Sequence, residues 1–225
     1  MSFLGRRQSA GALVSNCAVI LTCQGTLMSR LPNLTPDRMS PEQRRIYDDV
    51  VASRGTWSNG PFGQLIHQPR IAEPTHRLGE FIRYHTSLEP RLTELAILIV
   101  ARHWDCRFEW SIHMPNALKS GIGAVAIEAI AHRQRPTGLR EDEGVVHDFA
   151  TDSLQRHEVA DELYATATRL FGTVGVVELA SLLGYYSMLA LSLNSHRASM
   201  PDAEAECSDA TVANLNKAFD GNDNR

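Results

Sequence analysis

An all-α fold is what this sequence predicts, and three observations predict it. Apolar residues recur at three- and four-residue spacing, prolines sit where helices open, and glycines sit where they close. The run from Arg91 to Ala101 is apolar nearly all round, yet its neighbours are helical and turn signals are sparse, so a helix explains it better than a strand. The 225 residues suffice for one sizeable helical domain, or two small fused repeats, stable without disulfides or structural metal.

The first helix is signalled by Ser40 as N-cap, Pro41 at the first helical position, and Glu42 and Gln43 in the first turn. It runs to about Ser53 and stops at Gly55. SRGTWSNGPFG follows as a loop, either a plain connector or a place where backbone approaches a ligand. In PRIAEPTHRLGEFIRYH, Leu78, Phe81 and Ile82 recur at helical spacing and imply an amphipathic helix with these residues on its apolar face. Pro90 resets the chain, and Arg91 to Ala101 becomes a buried central helix interrupted only by Glu94. Gly121 and Gly123 end a further helix and GAVAIEAIAH begins another. Two amphipathic helices follow at about Glu141 to Gln155 and Glu158 to Leu170, the second closed by Gly172.

VGVVELASLLGYYSMLALSLN is long enough to span a bilayer, for which about 20 apolar residues suffice. Glu178, Ser181, Tyr185, Tyr186, Ser187 and Ser192 nevertheless suit a protein interior better than lipid. A central or oligomer-facing helix is therefore expected, with Tyr185 and Glu178 in the core or at an oligomer interface, and no membrane partner. ELAIL from Glu94 and ELASL from Glu178 match, as do IYDDVVASRG and LYATATRLFG in their Tyr-to-Gly spacing. A duplicated unit would place Glu94 and Glu178 at related positions.

The expected organisation is an N-terminal extension over 1–30, a helical domain over 31–201 and an acidic polar tail over 202–225, the tail carrying at most a weak helix around Val212 to Phe219. MSFLGRR followed by SAGALVSNCAVILTC has the form of a signal, an extension, or a region preceding a true start at Met28; an extension outside the fold is the favoured reading. A net charge of −4 without Lys/Arg clusters excludes a nucleic-acid footprint and favours a small-molecule substrate. Cys17, Cys23, Cys106 and Cys207 are scattered, which fits a cytoplasmic protein and neither a disulfide framework nor a zinc ribbon. His67, His76 and His85 share no helical face, and no metal is expected.

The chemistry concentrates between Arg102 and His113. Cys106, Glu109 and His113 are spaced by three and four residues, so on one helix they share a face. With Asp105 as cap, Cys106 would enter the first turn, where the helix dipole lowers a thiol pKa. Pro115 removes a hydrogen bond just beyond His113, and a kink there would turn the imidazole toward a pocket. Each residue has a plainer alternative. His113 as a packed core histidine, Glu109–His113 as an i,i+4 pair worth about 0.2 to 0.5 kcal/mol, Cys106 as a small buried hydrophobe, and Arg102 as a structural ion-pair partner all stay open. So do a structural hydrogen bond for Glu94 and a packing role for His103, Trp104 and Trp110.

From Glu94 through CRFEWSIHMPNALKSGI, the chain resembles the carboxymuconolactone decarboxylase and alkyl hydroperoxidase D superfamily. The shared signature is a glutamate, then a cysteine, an x-x-Cys or x-x-Glu step, and a histidine four residues later. The peroxidase branch carries Cys-x-x-Cys at this place; here Glu109 stands in for the second thiol, which disfavours dithiol chemistry and resembles the decarboxylase branch. The resemblance implies an alkyl hydroperoxidase D-like helical fold and a cofactor-free homo-oligomer (dimer, trimer or hexamer). The activity it implies is removal of carbon dioxide from a small carboxylated lactone or related enolisable acid of aromatic catabolism. In that reading His113 is the general acid, Glu109 orients it or relays its proton, and Cys106 completes the catalytic group. Arg102 anchors the substrate carboxylate, Glu94 orients Arg102 or His113, and His103 and Trp110 line the pocket. The alternatives are a thiol-dependent peroxidase or reductase using Cys106, and a non-catalytic oligomer that binds a small ligand.

Overall fold

A computed structural model describes residues 29–55, 57, 60–200 and 209–221. The expectations placed on residues 1–28, including Cys17 and Cys23, and on Cys207 lie outside them. Among the described residues the regular structure is entirely helical: α1 Pro41–Arg54, α2 Pro61–Leu65, α3 Pro69–Tyr84, α4 Pro90–His103, α5 Arg107–Lys119, α6 Ala124–Ala131, α7 Glu141–Gln155, α8 Asp161–His196 and α9 Ala210–Asp220.

The caps explain most boundaries. Ser40 accepts from the Gln43 backbone while the Gln43 side chain accepts from Ser40, a reciprocal capping box, and Gly55 closes α1 at φ 76. Gly172 (φ 67, ψ 172) interrupts α8, which is two helical segments meeting at the glycine that sequence placed at a helix end. The expected loop after Gly55 is partly helical, because Pro61 opens the short α2 and Phe62 and Gln64 are buried.

α4 is the hub. Leu95, Ala96, Ile97 and Leu98 are wholly buried, and α5, α7 and α8 pack around the helix. Full burial on every side is what an all-round apolar helix demands. Its N-terminal end is tied to α7 by Arg91, a buried guanidinium that pairs with Asp142, with Glu143 at 3.0 Å and with Glu89 at 3.0 Å. α8 is long and apolar enough by length and composition to cross a membrane, and 56% of its most apolar window is buried within the protein.

Two expectations about burial are corrected. In α3 the buried face is Ala72, Thr75, His76, Gly79 and Ile82, whereas Leu78 and Phe81 are each 46% exposed. They lie beside the exposed Val174 and Val177 of α8, so an apolar strip faces outward here. The fold also does not end at residue 201: Val212, Leu215 and Phe219 of α9 are buried against α5 and α6, which makes this helix part of the core. Three apolar residues at i, i+3 and i+7 outweigh the polar composition of the surrounding tail.

Candidate functional site

α4 and α5 form a helical hairpin. Trp104 and Asp105 reverse the chain, with Asp105 in the left-handed region at φ 48, so α5 runs back along α4. Glu94 and His113 lie at nearly equal distances from this reversal and therefore meet. His113 Nδ1 is 2.7 Å from Glu94 Oε2 and His113 Nε2 is 3.3 Å from Glu109 Oε2. The imidazole is clamped between two carboxylates, one contributed by its own helix and one by its neighbour. Its ring meets that of Tyr186 edge-on, with centroids 5.2 Å apart.

The electrostatics follow from that clamp. Burial alone would depress the His113 pKa, but the hydrogen bonds and charges of Glu109 and Glu94 outweigh it, and the net direction is upward. His113 is thus favoured as imidazolium, a proton donor held in place. Pro115 lies inside α5 without ending it, and the helix continues to Lys119.

His113 and Glu109 line a cavity of ≈ 100 Å³ shared by α1, α2, α3, α5 and α8. Opposite them stand groups whose role sequence spacing did not reveal. Arg54 lies over the Phe62 ring at 4.7 Å, and its Nε is buried without a hydrogen bond. Arg83 lines the same cavity. Tyr185 lies in the buried core, as expected, and also walls this cavity; burial pushes its pKa up to about 12, and its hydroxyl sits beside the Arg54 guanidinium. That hydroxyl lies against Gly79, where an added Cβ would sit 2.0 Å from it. Glu109 Oε1, like Arg54 Nε, is buried and unpartnered. Such groups are costly to leave unsatisfied, and their gathering in one cavity is a common mark of a binding site.

The remaining sequence-selected residues lie elsewhere. Cys106 is not in the first turn of α5; it is the N-cap residue, wholly buried, in an apolar cluster with Phe108, Ala190 and Leu193. Burial, followed by the charge of Glu109, pushes its thiol up to about 12, the reverse of the dipole expectation. Arg102 does not reach His113. It is buried, pairs with Asp105 at 3.0 Å, donates to the Phe219 carbonyl at 3.3 Å and stacks over the Phe219 ring, so it fastens α9 to α4. The contact that Glu94 makes is with His113 Nδ1. Trp110 is fully buried against Phe219 at 4.8 Å, a packing role and not a pocket wall. His103 lines a different cavity, described below. Glu178 accepts from the Ser87 backbone and hydroxyl at 2.8 and 2.6 Å, so the two glutamates matched in sequence have different partners.

No protein-family model matches the chain, and no curated protein is similar to it. Solved structures do share its architecture. A peroxidase-related protein with an alkylhydroperoxidase AhpD core from Ralstonia eutropha JMP134 superposes with a TM-score of 0.64 at 14% identity, covering 77% of this chain and 93% of its own. The fold is the alkyl hydroperoxidase D-like helical fold. The debrominase Bmp8, in an alanine-substituted form in complex with 2,3,4-tribromopyrrole, matches with a TM-score of 0.63 at 15% identity over 85% of this chain and 98% of that one. Apo Bmp8 matches at 0.62, with 14% identity over 86% and 98%.

Proposed function

We propose that this protein is an acid–base lyase that removes carbon dioxide from a small carboxylated lactone or related enolisable acid, with His113 as the proton donor. The observation that carries the reading is the Glu94–His113–Glu109 clamp at the wall of a cavity holding Tyr185, Arg54 and Arg83. Cleavage of the bond between the carboxylate carbon and a carbon conjugated to a carbonyl releases carbon dioxide. The bonding pair stays behind as an enolate or dienolate. Tyr185 and the two guanidiniums are hydrogen-bond donors suited to the enolate oxygen, where preorganised donors lower a barrier most. His113 then gives its proton to carbon, and the neutral imidazole regains one from water, with Glu109 as relay. The net change is one carboxylate and one proton converted to carbon dioxide and a carbon–hydrogen bond.

Thiol chemistry is the weaker reading on physical grounds. Peroxide reduction needs an accessible thiolate, whereas Cys106 is wholly buried, protonated at neutral pH and absent from the cavity wall. The same objection applies to carrying over a thiol-dependent version of the neighbours' dehalogenation or peroxidase chemistry.

The test follows carbon dioxide release from a panel of carboxylated lactones, with peroxide reduction assayed in parallel. His113→Ala should abolish release and Cys106→Ala should preserve it. Release that persists in His113→Ala, or peroxide turnover that vanishes with Cys106, overturns the assignment.

A further inference from the structure

A second cavity, ≈ 300 Å³ and larger than the one at His113, lies at the C-terminal end of α4, between that helix, the α6–α7 connection and α7. Arg102, Arg133 and Arg135 border it, together with His103 and His147. Asp148 is a carboxylate on its wall, and Asp105 stands behind, paired to Arg102 and Arg133. Arg133 and Arg135 each pair with one carboxylate, Asp105 and Asp148 respectively. Each guanidinium has five donors, and an ion pair with one carboxylate uses at most two, so donors remain for a further acceptor. Arg135, for example, engages Asp148 through Nε and one terminal nitrogen at 2.8 Å each.

The backbone supports the same point. Arg133 follows the end of α6 at φ 56, donating to the Ile130 carbonyl, while Gln134 donates to that of Ala129. This is the helix-closing position usually given to glycine, because an L side chain is strained there. Its salt-bridge partner Asp105 is also left-handed, at φ 48. The left-handed turn at Arg133 and its pairing with Asp105 at the α4–α5 reversal place the guanidinium at the cavity. The floor is apolar, formed by Ile99, Ile130 and Leu154. Burial, and then the charge of Arg133, keep the His103 pKa below its ordinary range, so positive charge here rests on the arginines.

We infer that this cavity binds a small organic anion, a carboxylate on a compact apolar body, with its oxygens on Arg133 and Arg135 and its body on Ile99, Ile130 and Leu154. The site is separate from the His113 cavity, on the same helix that carries Glu94, and it stands independently of the reaction assigned to His113.

Titration calorimetry of the full chain with benzoate tests it. Wild type should bind, and Arg133→Gln with Arg135→Gln should weaken binding at least about tenfold, as expected for loss of charge-assisted hydrogen bonds. Thr151→Phe, which fills the cavity without removing an ion pair, should do the same, and melting curves establish that each variant is folded. Arg54→Gln with Arg83→Gln should leave this binding intact. Absence of benzoate binding at millimolar concentration overturns the inference. So does binding lost in the Arg54/Arg83 variant but kept in the Arg133/Arg135 variant, which would place the anion beside His113. Inorganic phosphate competing as well as benzoate would overturn the claim that an apolar body is recognised.

Discussion

The two ends of α5 carry residues with similar chemical promise and opposite surroundings. At the N-terminal end, Cys106 faces Ala190 and Leu193, and the thiol is dry, protonated and out of reach. Two turns later, His113 meets Glu94 and Glu109 and stands at a cavity that also holds two arginines and two tyrosines. Helical spacing places Cys106, Glu109 and His113 on one face, but α8 covers the first and leaves the others beside open space. Reactivity along a helix is therefore decided by what packs against each turn.

The strongest way to break this contrast is to exchange which end matters. His113→Ala should lower turnover by on the order of 10²- to 10⁴-fold, as loss of a positioned general acid does, whereas Cys106→Ala should stay within about threefold of wild type, since no reacting group is lost. Steady-state rates on a responsive substrate check both. Comparable losses in the two variants would mean that the chemistry spans the whole helix.

Next in size is the anchoring of the end away from the cavity. Phe219 packs on Trp110 and under Arg102. Truncation to Ala should cost about 3 kcal/mol of unfolding free energy, measured by urea denaturation. An unchanged midpoint would show that α9 contributes nothing to the core.

Gly79→Ala attacks the cavity wall instead. The new methyl would meet the Tyr185 hydroxyl at 2.0 Å, so the ring must move. A cost of about 1 to 3 kcal/mol is expected from overpacking, together with reduced turnover. Stability lost without any change in turnover would exclude Tyr185 from the reaction.

Proton linkage gives a finer test. The folded His113 pKa lies above its ordinary 6.5. The stabilisation it contributes is fully present below pH 6.5 and is lost as pH rises through the raised value. Turnover that uses the imidazolium should fall over the same window. Glu94→Gln removes one of the two carboxylates and should move both midpoints to lower pH. Nuclear magnetic resonance of the imidazole, with pH–rate profiles, measures the shift; no movement would separate Glu94 from the acid.

The smallest expected signal is at the sulfur. Cys106 should react with thiol reagents only as fast as the protein opens, read by mass spectrometry of its peptide. Rapid labelling in native buffer would show that the first turn of α5 is accessible after all.

Much of the fold was legible because helix signals are local. The cap at Ser40, the apolar run in α4, the stop at Gly172 and the range of α7 all follow from residues within one or two turns of each other. Errors arose where a short signal had to predict a distant neighbour. Leu78 and Phe81 sit on an apolar stripe, yet Gly79 and His76 face the core because the neighbouring α8 and α1 require a close approach there. The α9 helix was discounted because its surroundings are polar, although three apolar residues were enough to dock it.

The site divides in the same way. Sequence alone determined that Glu109 and His113 meet, since i and i+4 on a helix must be neighbours. It also singled out Glu94 as the lone acid of the central helix. Only the tertiary structure decided that Glu94 completes the clamp, that Arg102 fastens α9, that Cys106 is sealed, and that Arg54, Arg83 and Tyr185 gather opposite His113. The reason is physical: spacing fixes which side chains share a face, but burial and charge depend on which other helices cover that face, and those contacts come from residues far away in the chain.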